Sequence, residues 1–398
     1  MSTGSLENLK VLDLATLYAA PLVSTFLADL GADVVHVEPP DGDPIRGLGE
    51  TRGGVPVVWA YVGRNKRSLC LDPATAEGID LLRRLTEVAD VIVSNQPREV
   101  LARWGCSYED IEQRNPRAVV VTMSAYGLDG PYGSRVGNGS LVEAFAGLAN
   151  MVGLPDGPPI LPSVPLGDTL AAWAAALAAL AACQWRDQPD GRGQLVDASM
   201  YEPILSLLAL SMVSWAPDEV PPRRTGSRIP GGDPRNCYET ADARFVVLSG
   251  PTDGQVARIL DVIGITNQET RTRYDTAAAR LEHGDELDAL VATWIKAHAR
   301  EEALVAFEAA RIPITPVQDL AELVDHPQLR HRESIVDRQY GDAGTVLMPS
   351  VMPRMSRTPA RISWAGRALG VDTEQVISEW LDGGTARQLS GDDSTLSA

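Results

Sequence analysis

The sequence predicts an α/β fold: a Rossmann-like large domain with a mostly parallel sheet, plus a smaller α+β domain. Three observations carry that expectation. Short β-type runs alternate with helical stretches through the first third of the chain, the pattern of parallel strands joined by crossover helices. A Pro-, Gly- and Arg-rich stretch, "APDEVPPRRTGSRIPGGDPRN", then interrupts the packed pattern, as a linker or lid does. Beyond it, "CYETADARFVVLSG" reads as a hairpin followed by helices, which suits a separate antiparallel unit.

Taken in order, "LKVLDLA" and "ADVVHVE" are short apolar strands. Between them "APLVSTFLADLG" starts a helix at Pro21, where a missing N–H costs nothing, and stops it at Gly31. The pattern repeats as strand "RSLCLD", helix "TAEGIDLLRRLTEVA" and strand "DVIVSN". Helix "SYEDIEQRN" leads into strand "AVVVTMSAYG". A long alanine-rich helix follows Asp168 and ends near Trp185; "QPDGRGQLVDASM" is then a turn and a strand, and "EPILSLLALSMVSW" an apolar helix. Helices are expected near Gly254–Ile263, Glu286–Ala299 and Glu301–Ala310, and a last one over "TEQVISEWLDGG". The expected organisation is a large domain over 1–213, a linker or lid over 214–236 and a small domain over 237–335. A second linker over 336–365 and a C-terminal return to the large domain over 366–398 complete it.

Charge and composition exclude several functions. The 398 residues carry 35 basic and 53 acidic side chains, a formal charge of −18, which disfavours nucleic acid and anionic lipid as partners. Cys70, Cys106, Cys183 and Cys237 are widely spaced with no C-x-x-C pair, and the five histidines form no H-E-x-x-H. Neither a disulfide scaffold nor a metal site is expected, and the usage suits a reducing, cytoplasmic setting. His36, on an expected strand, reads as a packed or surface histidine rather than a ligand. The N-terminus lacks the basic and apolar regions of a signal peptide. The most apolar stretch, Leu170–Cys183, is shorter than the ~20 residues a membrane span requires.

The first strand-to-helix turn reads "DLATLYAAPLV", without G-x-G-x-x-G, so a dinucleotide pyrophosphate has no usual approach to the backbone. Walker A and G-x-S-x-G motifs are also absent. "GRNKRSLCLD" concentrates Arg64, Lys66 and Arg67, which is either a solvated loop or a seat for a phosphorylated ligand. Asp168, ahead of "TLAAWAAALAALAA", has the pattern of a helix N-cap. A carboxylate there is also kept ionised by the positive end of the helix. Capping and chemistry are compatible, and the pattern alone leaves both open.

The segments "LKVLDLATLYAAPLVSTFLADLGADVVHVEPPDGDPIR", "GRNKRSLCLD", "ADVIVSNQP", "NPRAVVVTMSAYGLDGPY", "PLGDTLAA" and "GRGQLVDASM" together resemble the family III CoA-transferases, in that family's order. The match is looser over "PRNCYETADARFVVLSG" and "RIPITPVQDLAELVDHPQL". The resemblance implies an interlocked homodimer, each chain threaded through the other, with the active site between large and small domains. It implies Asp168 as nucleophile, carrying first an acyl group and then CoA, and no tightly bound cofactor: coenzyme A enters as acyl-CoA substrate beside a carboxylic acid. It implies Leu17, Tyr18, Lys66, Arg67 and Asn95 along the CoA path. Related acyl-CoA racemases use a His–Asp pair where this chain has Asn138 and Gly139, neither of which can abstract a proton near neutrality. The same positions lack an acid that some transferases hold, a gap that Glu143 is placed to fill. Gly231 and Gly232 mark a candidate closing loop, shorter than that of formyl-CoA transferase. A racemase or isomerase of the same fold, or a catalytically silent CoA-binding protein, are the alternatives.

Overall fold

The computed structural model describes residues 4–217, 219–229 and 232–382. They divide into two compact units: the parts of 1–146, 163–212 and 327–398 that are described, and 147–162 with the described part of 213–326.

In the first unit strand β1 (Lys10–Asp13), helix α1 (Ala19–Asp29) and strand β2 (Asp33–Glu38) are followed by β3 (Arg67–Cys70), helix α2 (Ala76–Val88) and β4 (Val91–Ser94). Then come β5 (Val119–Ser124), helix α3 (Gly139–Phe145), helix α4 (Leu166–Arg186) and β6 (Leu195–Ser199). The six strands form one sheet in the order β3-β2-β1-β4-β5-β6, and every pairing is parallel. Val11, Leu12, Val91 and Val93 in the central strands are fully buried, which is why these runs are continuously apolar rather than alternating. From β1 the chain builds outward through β2 and β3, then returns to lay β4 on the other side of β1. That reversal opens a crevice at the carboxyl ends of β1 and β4, where doubly wound folds bind ligands.

Alanine sets the packing of α4. Ala171, Ala172, Ala175, Ala176, Ala179 and Ala182 are buried, and this small-residue face lies against α1. Phe26 of α1 meets Trp173 of α4 with ring centroids 5.8 Å apart. At 21 residues α4 is, among the described residues, the one helix long and apolar enough to cross a membrane by length and composition. Its buried alanine face is that of a core helix.

Two expectations need correction here. "EPILSLLALSMVSW" is two helices, Glu202–Leu207 and Ala209–Ser214. The first closes tightly as Leu208 donates its N–H to the Leu205 carbonyl at 3.1 Å, which ends the α-helical ladder. The stretch 336–365 is more than a connector, because Thr345–Pro349 pairs antiparallel with Ile335–Gln339. Val346, Met348 and Ile362 from this stretch join Ala60 in a buried apolar cluster. The helix Thr373–Leu381 buries Val376 and Trp380 in the core of the sheet unit.

The second unit is α+β by itself. A three-stranded antiparallel sheet places Phe245–Ser249 between Arg235–Glu239 and Ile314–Pro316. The helices Asp253–Val262, Ala277–Lys296 and Arg300–Ala309 cover it, with Val246, Leu248, Ile295 and Phe307 in the core.

Candidate active site

Asp168 does not cap its helix. Helix α4 begins at Leu166 with Pro165 as N-cap, a residue that supplies no side-chain cap bond of its own. Proline suits the position because its φ is set and its missing N–H leaves no orphan. Asp168 therefore sits in the first turn, half-buried, where the helix end favours a negative charge. The capping of the turn falls instead to Glu143 of α3, which is buried and accepts the Gly167 N–H through Oε1 at 2.8 Å.

The Asp168 carboxylate lies on bare backbone. A Cβ at Gly139 would stand 2.0 Å from Asp168 Oδ2, so only glycine leaves room for it. Burial pushes the Asp168 carboxyl above its ordinary value, the Glu143 carboxylate adds to this, and a backbone hydrogen bond pulls the other way. Glu143→Gln keeps an oxygen for the Gly167 N–H but removes that charge. The acid limb of kcat/KM in the variant is expected to move to lower pH, as a titration of rate against pH would show; an unmoved limb would sink the assignment of that limb to Asp168.

Three of the remaining expected residues meet at the sheet crevice. Asn95, just past β4, accepts the Thr16 N–H through Oδ1 at 3.0 Å and donates from Nδ2 to the Thr16 carbonyl at 2.9 Å. Leu17 follows with φ of 70° and 44% of its surface exposed. Tyr18 leads into α1. Its phenol meets the Thr169 hydroxyl and feels Asp168; burial, with Tyr61 and Asp168 adding, pushes its pKa up to about 12, so it stays a donor at neutral pH. A cleft of about 410 Å³ opens beside it, walled by Val57, Ala60, Tyr61 and Val346 to Pro349.

The turn also explains why no dinucleotide motif is present. The N–H groups of Ala15, Thr16 and Leu17 are each taken by a side chain: Asp13 at 3.1 Å, Asn95 at 3.0 Å and Asp43 at 3.1 Å. Those donors cannot also cradle a pyrophosphate.

As cations facing a CoA diphosphate, Lys66 and Arg67 are corrected by the structure. Lys66 is 1% exposed; its Nζ donates to Asp13 Oδ2 at 2.8 Å and to the Pro21 carbonyl at 2.7 Å. Arg67 is 3% exposed and pairs with Asp33 at 2.5 Å and Glu379 at 2.7 Å. Arg64 is buried against Asp29. The cluster turns inward because the sheet unit buries these acids, and an unpaired buried carboxylate is far costlier than a paired one. The closing-loop reading falls partly on Gly231, which lies outside the described residues.

Sequence reasoning passed over a buried network. His36 Nδ1 meets Asp13 Oδ2 at 2.9 Å and its Nε2 faces Asp43 Oδ2 at 3.3 Å. The signal available was a histidine in an apolar strand with Asp41 and Asp43 a few residues on. Burial depresses the His36 imidazole, but Asp13 and Asp43 outweigh it and lift its pKa to about 9. Burial likewise raises Asp13, and Lys66 and His36 outweigh it, leaving about 2. The signs set a stability window. The Asp13 contribution is complete above the ordinary 3.8 and is lost as pH falls toward 2; that of His36 is complete below 6.5 and is lost as pH rises through 9. Calorimetry should show the melting temperature falling by several degrees between about pH 7 and 9.5, and a smaller fall in His36→Gln. Equal falls would contradict a buried imidazolium. Among the described residues no group of three or more His, Cys, Asp or Glu is placed to hold a metal ion.

The sequence model of CoA-transferase family III matches residues 6–373. The chain belongs to the family III CoA-transferases. This CoA-transferase is 34% identical to a succinyl-CoA–D-citramalate CoA-transferase of Chloroflexus aurantiacus, over 94% of each chain. It is 32% identical to a succinate–glutarate CoA-transferase of Agrobacterium fabrum, over 94% of this chain and 95% of the relative. A CaiB/BaiF family protein from Brucella suis has the same architecture, with TM-score 0.84 and 27% identity over 96% of this chain and 100% of that one.

Proposed function

We propose that this CoA-transferase moves CoA from an acyl-CoA thioester to a carboxylic acid with Asp168 as the covalent carrier. The observation that carries the reading is the Asp168 carboxylate: uncapped, half-exposed and seated on the bare backbone of Gly139 at a helix end. A carboxylate nucleophile needs no general base, because it is ionised at neutral pH. One Asp168 oxygen attacks the thioester carbonyl, the C–S bond breaks, and CoA leaves as thiolate, giving an acyl–aspartyl anhydride. The thiolate attacks the aspartyl carbonyl and expels the donor acid, leaving an aspartyl-CoA thioester. The acceptor carboxylate attacks that thioester and releases thiolate, which then takes the new acyl group and frees Asp168. Each tetrahedral step develops an oxyanion, and the phenol of Tyr18, which feels the Asp168 charge and stays protonated at neutral pH, is the proposed donor to it.

Leu17, Tyr18 and Asn95, gathered at the crevice of the sheet, are proposed to flank the bound CoA. Asn138 supports a transferase over a racemase: its side chain is engaged as the cap of α3, accepting the Leu141 N–H at 3.3 Å. The relatives' names pair succinyl-CoA or succinate with citramalate and glutarate. Short dicarboxylic acids, with succinyl-CoA as donor, are therefore the proposed substrates. A threaded homodimer in the cytoplasm is proposed as the working form, supported by Trp173, Leu177 and Trp185 exposed along α4; light scattering at the mass of one chain would contradict the dimer.

The direct test traps the intermediate. Incubation with succinyl-CoA and hydroxylamine, across a panel of acyl-CoA donors and acids, should yield a hydroxamate on the peptide containing Asp168. CoA binding with no transfer to any acid would instead identify a silent protein. Deuterium exchange at an α-carbon without acceptor acid would identify a racemase.

A further inference from the structure

The turn between β1 and α1 passes through Leu17 at φ of 70°, a left-handed conformation that a leucine adopts only when its surroundings impose it. The Leu17 side chain is 44% exposed, so its packing is not what imposes it. The Leu17 N–H is held by Asp43 Oδ1 at 3.1 Å, and the same oxygen accepts the Ile45 N–H at 2.9 Å. The other Asp43 oxygen faces His36 Nε2 at 3.3 Å. Behind His36 stands Asp13, held by Lys66 at 2.8 Å and by the Ser24 hydroxyl at 2.5 Å. Asp43 and His36 are both buried, so the chain of contacts reaches Leu17 from the core of the sheet.

We infer that Asp43 and His36 are positioning residues for acyl transfer: they hold Leu17 in its left-handed turn and so set the Tyr18 phenol against the helix end that carries Asp168. This rests on the reading of Asp168 above. The geometry permits little slack. Tyr18 is adjacent to Leu17, and its carbonyl accepts the Leu22 N–H at 3.2 Å, so its backbone begins α1. A rotation at Leu17 therefore swings the phenol, while Thr16 stays fixed to Asn95. Asp43 acts on Tyr18 through the backbone, by holding the preceding Leu17 N–H at 3.1 Å.

A double-mutant cycle tests the relay, read as kcat and KM with succinyl-CoA and the best acceptor of the acid panel. Asp43→Ala should lower kcat about tenfold to a hundredfold, the scale of a small misplacement at a reacting centre, with a smaller change in KM. Asp43→Asn, which keeps an oxygen for the Leu17 and Ile45 N–H groups, should recover most of that loss. In a Tyr18→Phe background Asp43→Ala should cost little more, because the phenol it positions is gone. If Asp43→Ala does not fold, His36→Gln replaces it in the same cycle. It leaves Asp43 bonded to Leu17 and should give a smaller fall that again vanishes with Tyr18→Phe. Wild-type kcat in either folded variant, or losses that simply add in the Tyr18→Phe background, would overturn the inference. A panel with no active pair, or turnover without an Asp168 hydroxamate, would be a failure of the functional reading instead.

Discussion

Asp168→Ala should lose about a thousandfold or more in turnover, ~4 kcal/mol of transition-state stabilisation at 1.36 kcal/mol per tenfold. The loss is large because the side chain is the covalent carrier in the proposed cycle, and Glu143, the acid whose charge acts on it, is not free to replace it. Glu143 is buried and accepts the Gly167 N–H at 2.8 Å. Acyl-CoA affinity should change only a few-fold, since Asp168 contributes little of the surface a CoA molecule covers. Folding should survive as well: Glu143, not Asp168, holds the Gly167 N–H at the start of α4, and the helix packing rests on buried alanines. Rate and affinity measured on the same preparation decide the matter. Retained turnover would falsify the nucleophile.

Gly139→Ala should cost about a hundredfold in activity with no loss of stability, and that separation is its value. The new Cβ would lie 2.0 Å from Asp168 Oδ2, far inside contact distance, so the carboxylate must turn off its seat. A displacement of about 1 Å at a reacting atom is worth on the order of a hundredfold in rate. The backbone itself accepts alanine. Gly139 begins α3 and is not among the glycines with positive φ. Alanine is at least as good a helix former as glycine. The expected result is an unchanged or raised melting temperature with kcat depressed about a hundredfold. A variant with normal kcat would show that the carboxylate does not react from this position.

Much of the architecture is written in local pattern. The runs around Val11, Val34, Val91 and Val119 are apolar on both faces, which demands a sheet covered on both sides, and Pro21 and Gly31 punctuate the first crossover. Sequence also led to Asp168, though through resemblance: a carboxylate before an alanine run looks the same whether it caps or reacts. Leu17, Tyr18 and Asn95 lie together at the crevice, where Asn95 bonds both backbone groups of Thr16. Lys66 and Arg67 do not. Charge in a sequence has no direction, and a cation beside a strand serves equally well as a ligand seat or as the partner of a buried acid.

The sequence by itself determined the alternation of strands and helices, because periodicity and glycine or proline punctuation act over a few residues. It also excluded a phosphate-cradling glycine loop at the first turn. Only the tertiary structure decided which charges are spent inside the molecule, that Glu143 and not Asp168 closes the N-terminus of α4, and that Gly139 is the floor beneath the carboxylate. Those outcomes depend on residues 24 and more positions apart meeting across the packed faces of the fold, where a distance of a few ångströms sets whether an acid is neutralised, shifted or left free to react.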